Sequence, residues 1–133
     1  MTLDPAIRDR IVLPAIVAPM FLVSGVELAI AACKAGLIGS LTRNHCRTDE
    51  EFEQQLIAVR EALAIARDEN DSDRIGPLAA NVSINASRQE RDAALKACAR
   101  HGVDIVLTAG GDPTEAGHPH YYSRPLAMMA HFR

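Results

Sequence analysis

Four short apolar runs alternate along this chain with three longer amphipathic stretches. The runs are residues 15–18, 37–41, 78–84 and 103–108. Most lack the polar–apolar alternation of a strand with one wet face, so they read as parallel strands covered on both sides. Each amphipathic stretch opens on one device: Ser24-Gly25-Val26-Glu27, Thr48-Asp49-Glu50-Glu51 and Ser87-Arg88-Gln89-Glu90 all place a hydroxyl three residues before a Glu. The hydroxyl can accept from the third helical amide while the Glu reaches back to the cap amide. The first predicted helix runs to about Ala35 and stops at Gly36. The second sets Phe52, Leu56, Val59 and Leu63 on one stripe and ends in the charged run 67–74. The third buries Ala94, Leu95, Cys98 and Ala99 and stops at Gly102.

The predicted order is β-α-β-α-β-α-β, with connections long enough for right-handed crossovers. Two architectures follow that grammar: an open doubly wound sheet, or part of a TIM (β/α)8 barrel. Neither a strand-Gly-x-Gly-x-x-Gly-helix fingerprint nor a phosphate-loop Gly-Lys motif is present, so no nucleotide fold has an anchor. The last stretch, AGGDPTEAGHPHYYSRPLAMMAHFR, is different in kind. It has no capping box and no strand-like run, and it holds both tyrosines and three of the five histidines. Residues 116–133 are read as an irregular tail outside the fold.

Composition narrows the function classes. The 133 residues suit one domain, and 48% apolar content is ordinary for a globular chain. Tryptophan is absent and aromatics are few, so the core must be aliphatic. A net charge of −3 with mixed signs gives no basic stripe, which argues against nucleic acid as partner. Cys33, Cys46 and Cys98 are an odd set at wide spacing, which fits reduced thiols and a cytoplasmic setting. Residues 11–41 are apolar enough to raise a membrane span. Pro14, Pro19, Gly25, Glu27 and Lys34 break that run. Asp4, Arg8, Asp9 and Arg10 sum to zero, unlike the basic start of a signal peptide.

The candidate chemistry lies at the ends of the apolar runs. Ligands of parallel α/β folds sit at the C-terminal ends of strands. There the first run passes through Ala18, Pro19, Met20 and Phe21 rather than through polar turn residues. Such a turn either plugs the barrel mouth, or packs under the next helix, or faces a flat apolar ligand with polarizable surface. Asn81 interrupts the apolar segment LAANVSIN, with Ser83 and Asn85 alternating on its face. A buried amide left unpaired costs roughly 1–3 kcal/mol, so it bonds either neighbouring backbone or a ligand. Gly110 and Gly111 permit a turn before Asp112-Pro113 or the close approach of a ligand. His45 and Cys46 are adjacent and have no Cys-x-x-Cys partner, and His118 and His120 lie in the tail; none of them reads as a metal ligand. Cys33 and Cys98 read as core thiols and His101 as a helix C-terminal partner. No acid–base pair or activated nucleophile can be assembled, so no catalytic residue is assigned.

The segment PAIVAPMFLVSGVELAIAACKAGLIGSL resembles the N-terminal strand, helix and second strand of the nitronate monooxygenases (2-nitropropane dioxygenases). AANVSI is similar to that family's third strand and HGVDIVLTAGGDPTE to its fourth, in the same order, over about residues 11–115. The resemblance implies an FMN-dependent TIM-barrel oxidoreductase that oxidises alkyl nitronates, with O2, to carbonyl compounds and nitrite. By position, Ala18, Pro19, Met20 and Phe21 would approach the flavin ring, Asn81 would hydrogen-bond it, and Gly110 would line the next strand end.

The resemblance covers the N-terminal half of such a barrel only, which the reading assigns to residues 1–115. The family's fifth-strand His-Asp pair, its Gly-Gly-His segment and its phosphate loops after strands seven and eight have no counterpart here. His118, His120 and His131 match none of them. The tail reads as an early-ended, shifted reading frame, and activity of this chain alone is therefore in question. The outermost strands would be open edges that invite self-association. Two alternatives stand beside this reading: a non-catalytic α/β binding or regulatory module, and a fragment of a related flavin barrel such as an enoyl reductase.

Overall fold

The computed structural model describes residues 4–70, 74–83, 86–108 and 121–122. The chain opens on a short helix, α1 (Pro5–Arg8), which the apolar pattern does not announce. Asp4 caps it by accepting from the Ala6 amide, and Pro5 supplies a backbone preset for the first turn. The main elements follow: α2 (Val26–Lys34), β1 (Gly39–Thr42), α3 (Asp49–Asn70), β2 (Leu78–Asn81), α4 (Arg88–Arg100), β3 (Ile105–Leu107) and β4 (Tyr121–Tyr122).

The predicted strands are present but shorter or shifted. The first, at 15–18, is reduced to one parallel bridge between Ile16 and Ile38. Val17 N–H donates to Ile38 O and Ile38 N–H to Ala15 O, at 2.9 and 3.0 Å. The run at 78–84 is strand only to Asn81, and 103–108 only over Ile105–Leu107. No strand is expected after Thr108, yet Tyr121–Tyr122 adds a two-residue parallel pairing to β3.

Strand order follows chain order, β1-β2-β3-β4, and every pairing is parallel. One core cluster joins Ala29 and Cys33 of α2, Phe52 to Ala66 of α3 and Ala94 to Cys98 of α4 with Leu41, Leu78, Ala80 and Val106 of the sheet. The three long helices therefore cover one and the same sheet face. A doubly wound sheet reverses its strand order and carries helices on both faces. The winding here is that of successive β-α units turning one way.

Side chains alternate across the sheet, so Ile38, Ser40 and Thr42 point away from the helices, as do Ala79 and Asn81. Ile38, Ala79 and Ile105 form a second cluster with Ile7 of α1. These three lie at the N-terminal ends of their strands, so α1 seals that end of the helix-free face. Arg10 closes it further. Its guanidinium pairs with Asp104 at 2.6 Å and donates to the carbonyls of Ile75 and Gly76.

The three capping signatures meet three fates. Ser87 forms the full box with Glu90. Thr48 accepts from the Glu51 amide, but the Glu51 carboxylate reaches one residue further, to the Arg47 amide at 2.7 Å. Ser24 caps nothing. Its hydroxyl is taken up by the preceding loop, and the cap position falls to Gly25. The stripe predicted on α3 is buried in full and extends to Ala66. On α4 the buried alanine is Ala97 rather than Ala99, which is exposed, because three- and four-residue steps from Ala94 reach 97 and 98. Gly36 and Gly102 end α2 and α4 with φ of 73° and 61°, the left-handed geometry a helix stop needs. Replacing Ser87 by Ala removes the hydroxyl that accepts from the Glu90 amide and leaves the backbone amide of residue 87 on the Glu90 carboxylate. The expected cost is about 1 kcal/mol, read as a lowered urea midpoint with unchanged slope.

Cys33 and Cys98 are fully buried core thiols. Burial pushes Cys33 up to about 11 and Cys98 up to about 12. A raised folded-state pKa means stability is complete below the ordinary thiol value and falls as pH rises through the folded one. The urea midpoint is therefore expected to drop from about pH 9 toward pH 11, and Cys98→Ala to lessen that drop. A midpoint flat across this window would contradict the burial of the two thiols. No helix among the described residues is long and apolar enough to cross a membrane.

Candidate functional site

The C-terminal ends of the strands form the rim where the sequence places its candidate residues. The loop leaving the first strand is built around Ser24, which is fully buried. Its hydroxyl donates to Ala18 O at 2.8 Å and accepts from the Met20 amide at 2.7 Å. Ser24 N–H and Val23 N–H both return to Met20 O. This small ring of bonds folds residues 18–24 back on themselves and drives Leu22 to a φ of 67°. A branched side chain in the left-handed region is strained, and such strain persists only where the surroundings impose it.

The loop turns its apolar side chains outward. Ala18 and Pro19 are half-buried, while Met20, Phe21, Leu22 and Val23 are 41%, 64%, 71% and 59% exposed. Four consecutive large apolar residues in water are out of place on a surface built only for solubility. The reading of this turn as packed under the next helix therefore fails for Met20 and Phe21.

Beside the loop, the helix-free face becomes polar toward the rim. Ser40 donates to Val17 O and ties the first strand to β1. Thr42 is the in-register neighbour of Asn81. Its hydroxyl is buried and has no hydrogen-bond partner among the described residues. Asn81 is half-buried and donates its side-chain amide to Leu107 O at 3.2 Å. Its Oδ1 has no partner among the described residues. Asn81 thus satisfies the backbone reading on its donor side and leaves its acceptor side open. Thr42 escaped the sequence reading, which ended the strand at Leu41. The alternation Ile38, Ser40, Thr42 was the available signal.

Ser83 and Thr108 continue this rim, half-buried and buried respectively. Gly110 and Asn85 lie outside the described residues, as do His118, His120 and His131. His45 and Cys46 sit in the turn after β1. The His45 Nδ1 is buried without a partner among the described residues, as is Oε1 of Gln55 on α3. Burial raises the Cys46 thiol above its ordinary value, the neighbouring Glu51 carboxylate adds to this, and Arg43 opposes it. Among the described residues no group of three or more His, Cys, Asp or Glu is gathered that could hold a metal. His101 is the C-cap residue of α4, with Nε2 2.7 Å from Glu53 Oε1. The same Glu53 receives Arg100, and these two bonds hold its carboxyl below the usual range.

A groove of about 640 Å³ lies elsewhere, between α3 and α4, with Phe52, Ala94 and Ala97 at its base and Glu53, Arg88 and Arg100 around it. It is on the helical side of the sheet, away from Asn81 and Thr42. None of the candidate residues contributes to it.

No family model matches the chain, and no curated protein does. Solved structures do. The chain is similar to FabK from Thermotoga maritima, with a TM-score of 0.57 and 21% identity over 87% of this chain and 33% of that one. The fold is that of part of FabK. A point mutant of the same protein gives a TM-score of 0.54 at 21% identity, over 86% of this chain and 35% of that one. The chain spans about a third of the length of the structures it resembles. At this identity the likeness to FabK establishes the fold alone.

Proposed function

We propose that this chain is the first part of an FMN-dependent oxidoreductase barrel, with the flavin ring lying over the rim formed by residues 18–21, Thr42 and Asn81. The observation that carries the reading is an exposed apolar loop, held in strained geometry, beside a buried Thr42 hydroxyl with no hydrogen-bond partner among the described residues and an Asn81 amide bonded there on its donor side alone. An aromatic ring with polar edges answers both needs at once. The consecutive parallel strands with helices on one face support barrel winding, and the likeness to part of FabK supports the same fold.

The residues at the rim fit a flavin in separate ways. Pro19 limits the backbone freedom of the loop. Met20 and Phe21 supply polarizable surface and keep water from the ring. Asn81 Oδ1 accepts from a ring N–H while its amide stays on Leu107 O. Thr42, the in-register neighbour of Asn81, would gain a partner for its buried hydroxyl if a polar edge of the ring reached it. FMN, when bound, supplies the electron chemistry of the reaction. Gly110 completes the proposed set on the next strand. No residue described here is assigned as a base.

The sequence resemblance favours alkyl nitronates and O2 as substrates. The fold likeness supports an enoyl reductase barrel comparably well. Nitronate oxidation and enoyl reduction, each measured on the gene product, separate the two.

Flavin titration watched by fluorescence quenching tests the site. Asn81→Ala is expected to weaken FMN roughly three- to tenfold, the worth of one hydrogen bond. Thr42→Val makes a sharper case, because the hydroxyl has no partner among the described residues. It should leave stability unchanged or raised while weakening FMN by a similar factor. Equal affinity in wild type and both variants would remove the rim from the flavin site.

A further inference from the structure

At the opposite end of the sheet three arginines converge on one recess of about 250 Å³. It is lined by Arg10, Arg60, Arg67, Leu78, Gly102 and Asp104. Arg60 and Arg67 are two turns apart on α3 and share a face. Arg10 comes from the segment before the first strand and Asp104 from the residue before β3.

The charges do not cancel. Asp104 is fully engaged: Oδ1 receives Arg10, and Oδ2 accepts from the Leu78 amide at 2.9 Å. Arg10 is spent as well, on that carboxylate and on the carbonyls of Ile75 and Gly76. Arg60 donates to His101 O and lines the recess, with no other hydrogen bond of its side chain among the described residues. Arg67 has no carboxylate partner among the described residues. The nearby Glu53 is held by Arg100 and His101. Two cationic forks are therefore left without an anion among the described residues.

Arg60 is also positioned. Gly102 has a φ of 61°, and a Cβ there would fall 2.7 Å from the Arg60 guanidinium nitrogen. The missing side chain lets the guanidinium lie against the turn, where the carbonyl of His101 fixes it.

The geometry points to a binding site for a diphosphate-class anion in this recess. Two guanidinium forks can each bind phosphoryl oxygens in bidentate fashion. The volume equals that of about eight liquid waters, room for two linked phosphoryl groups and their remaining hydration. The site lies at the N-terminal ends of the strands, across the sheet from the proposed flavin rim, and is independent of it.

Inorganic diphosphate, titrated in magnesium-free, low-salt buffer onto the isotope-labelled chain, is the probe. Saturable amide shifts at Gly102, Asp104 and Leu78 are expected, weakening as salt rises. The double variant Arg60→Gln, Arg67→Gln changes exposed helix positions and should keep its circular dichroism while losing affinity at least about tenfold. Arg60→Lys with Arg67→Lys keeps the charge, loses the forks, and should fall between. Arg88→Gln, on α4 outside the recess, should bind as wild type. Absence of saturable binding to wild type, equal affinity in the glutamine double variant, or an equal loss in Arg88→Gln would each overturn the assignment.

Discussion

Gly76→Ala is expected to abolish the folded state or to lower its stability by about 3 kcal/mol or more, the upper end of overpacking costs. Residues 75–77 run beneath the end of α2, where the Gly76 amide donates to Cys33 O at 2.8 Å. A Cβ at residue 76 would sit 1.9 Å from Leu37 O and 2.7 Å from Leu37 C. Both are backbone atoms, so no side chain can swing aside. Relief requires either the loop before β2 or the one before β1 to move, and Leu37 adjoins Ile38, which pairs the first strand. Gly25→Ala is the control, since a Cβ there meets nothing within 4 Å. Urea unfolding followed by circular dichroism distinguishes them. A Gly76→Ala chain as stable as Gly25→Ala would mean that the two loops do not pack as described.

Phe52→Ala carries the second large effect, about 3–5 kcal/mol. Phe52 is fully buried and is the largest such side chain in an otherwise aliphatic core. It stands at the first turn of α3 and lies at the base of the α3–α4 groove. Truncation leaves a cavity whose walls belong to two helices, and helices held by a sheet close only partly. Phe52→Leu keeps most of the volume and should lose clearly less. Ile65→Ala, on the exposed side of the same helix, should change stability by under about 0.5 kcal/mol. If Phe52→Ala and Ile65→Ala cost the same, the stripe on α3 does not face the core.

These expectations show what the sequence made legible. The α3 stripe could be read because a 22-residue helix repeats its pattern several times. The order of elements along the chain could be read because apolar runs and capping signatures alternate, whereas that pattern fits a doubly wound sheet as well as a barrel and leaves the strand order within the sheet open. Ser24 could not, since a hydroxyl before a Glu is the same signal whether it caps a helix or closes a loop. Only the folded positions of Ala18 and Met20 decide between them. The pair of Arg10 with Asp104 joins residues far apart in the chain, and no local pattern marks it. Helix α1 did carry a sign, Asp4 followed by Pro5, but a four-residue helix is too short to show periodicity. At the candidate site, the apolar turn and Asn81 were visible as residues out of keeping with their surroundings. Thr42 was missed because the predicted strand ends at Leu41; the alternation Ile38, Ser40, Thr42 carried the signal, and register with Asn81 gives it its place at the rim.

The reading of the rim as a flavin face is tested most directly by mapping amide shifts on the labelled chain during titration with riboflavin and with FMN. If the contacts are to the ring, both flavins should perturb residues 18–21, Thr42 and Asn81, with similar affinities, and leave the α3–α4 groove unmoved. Shifts confined to that groove, or no saturable shift at the rim with either flavin, would contradict it.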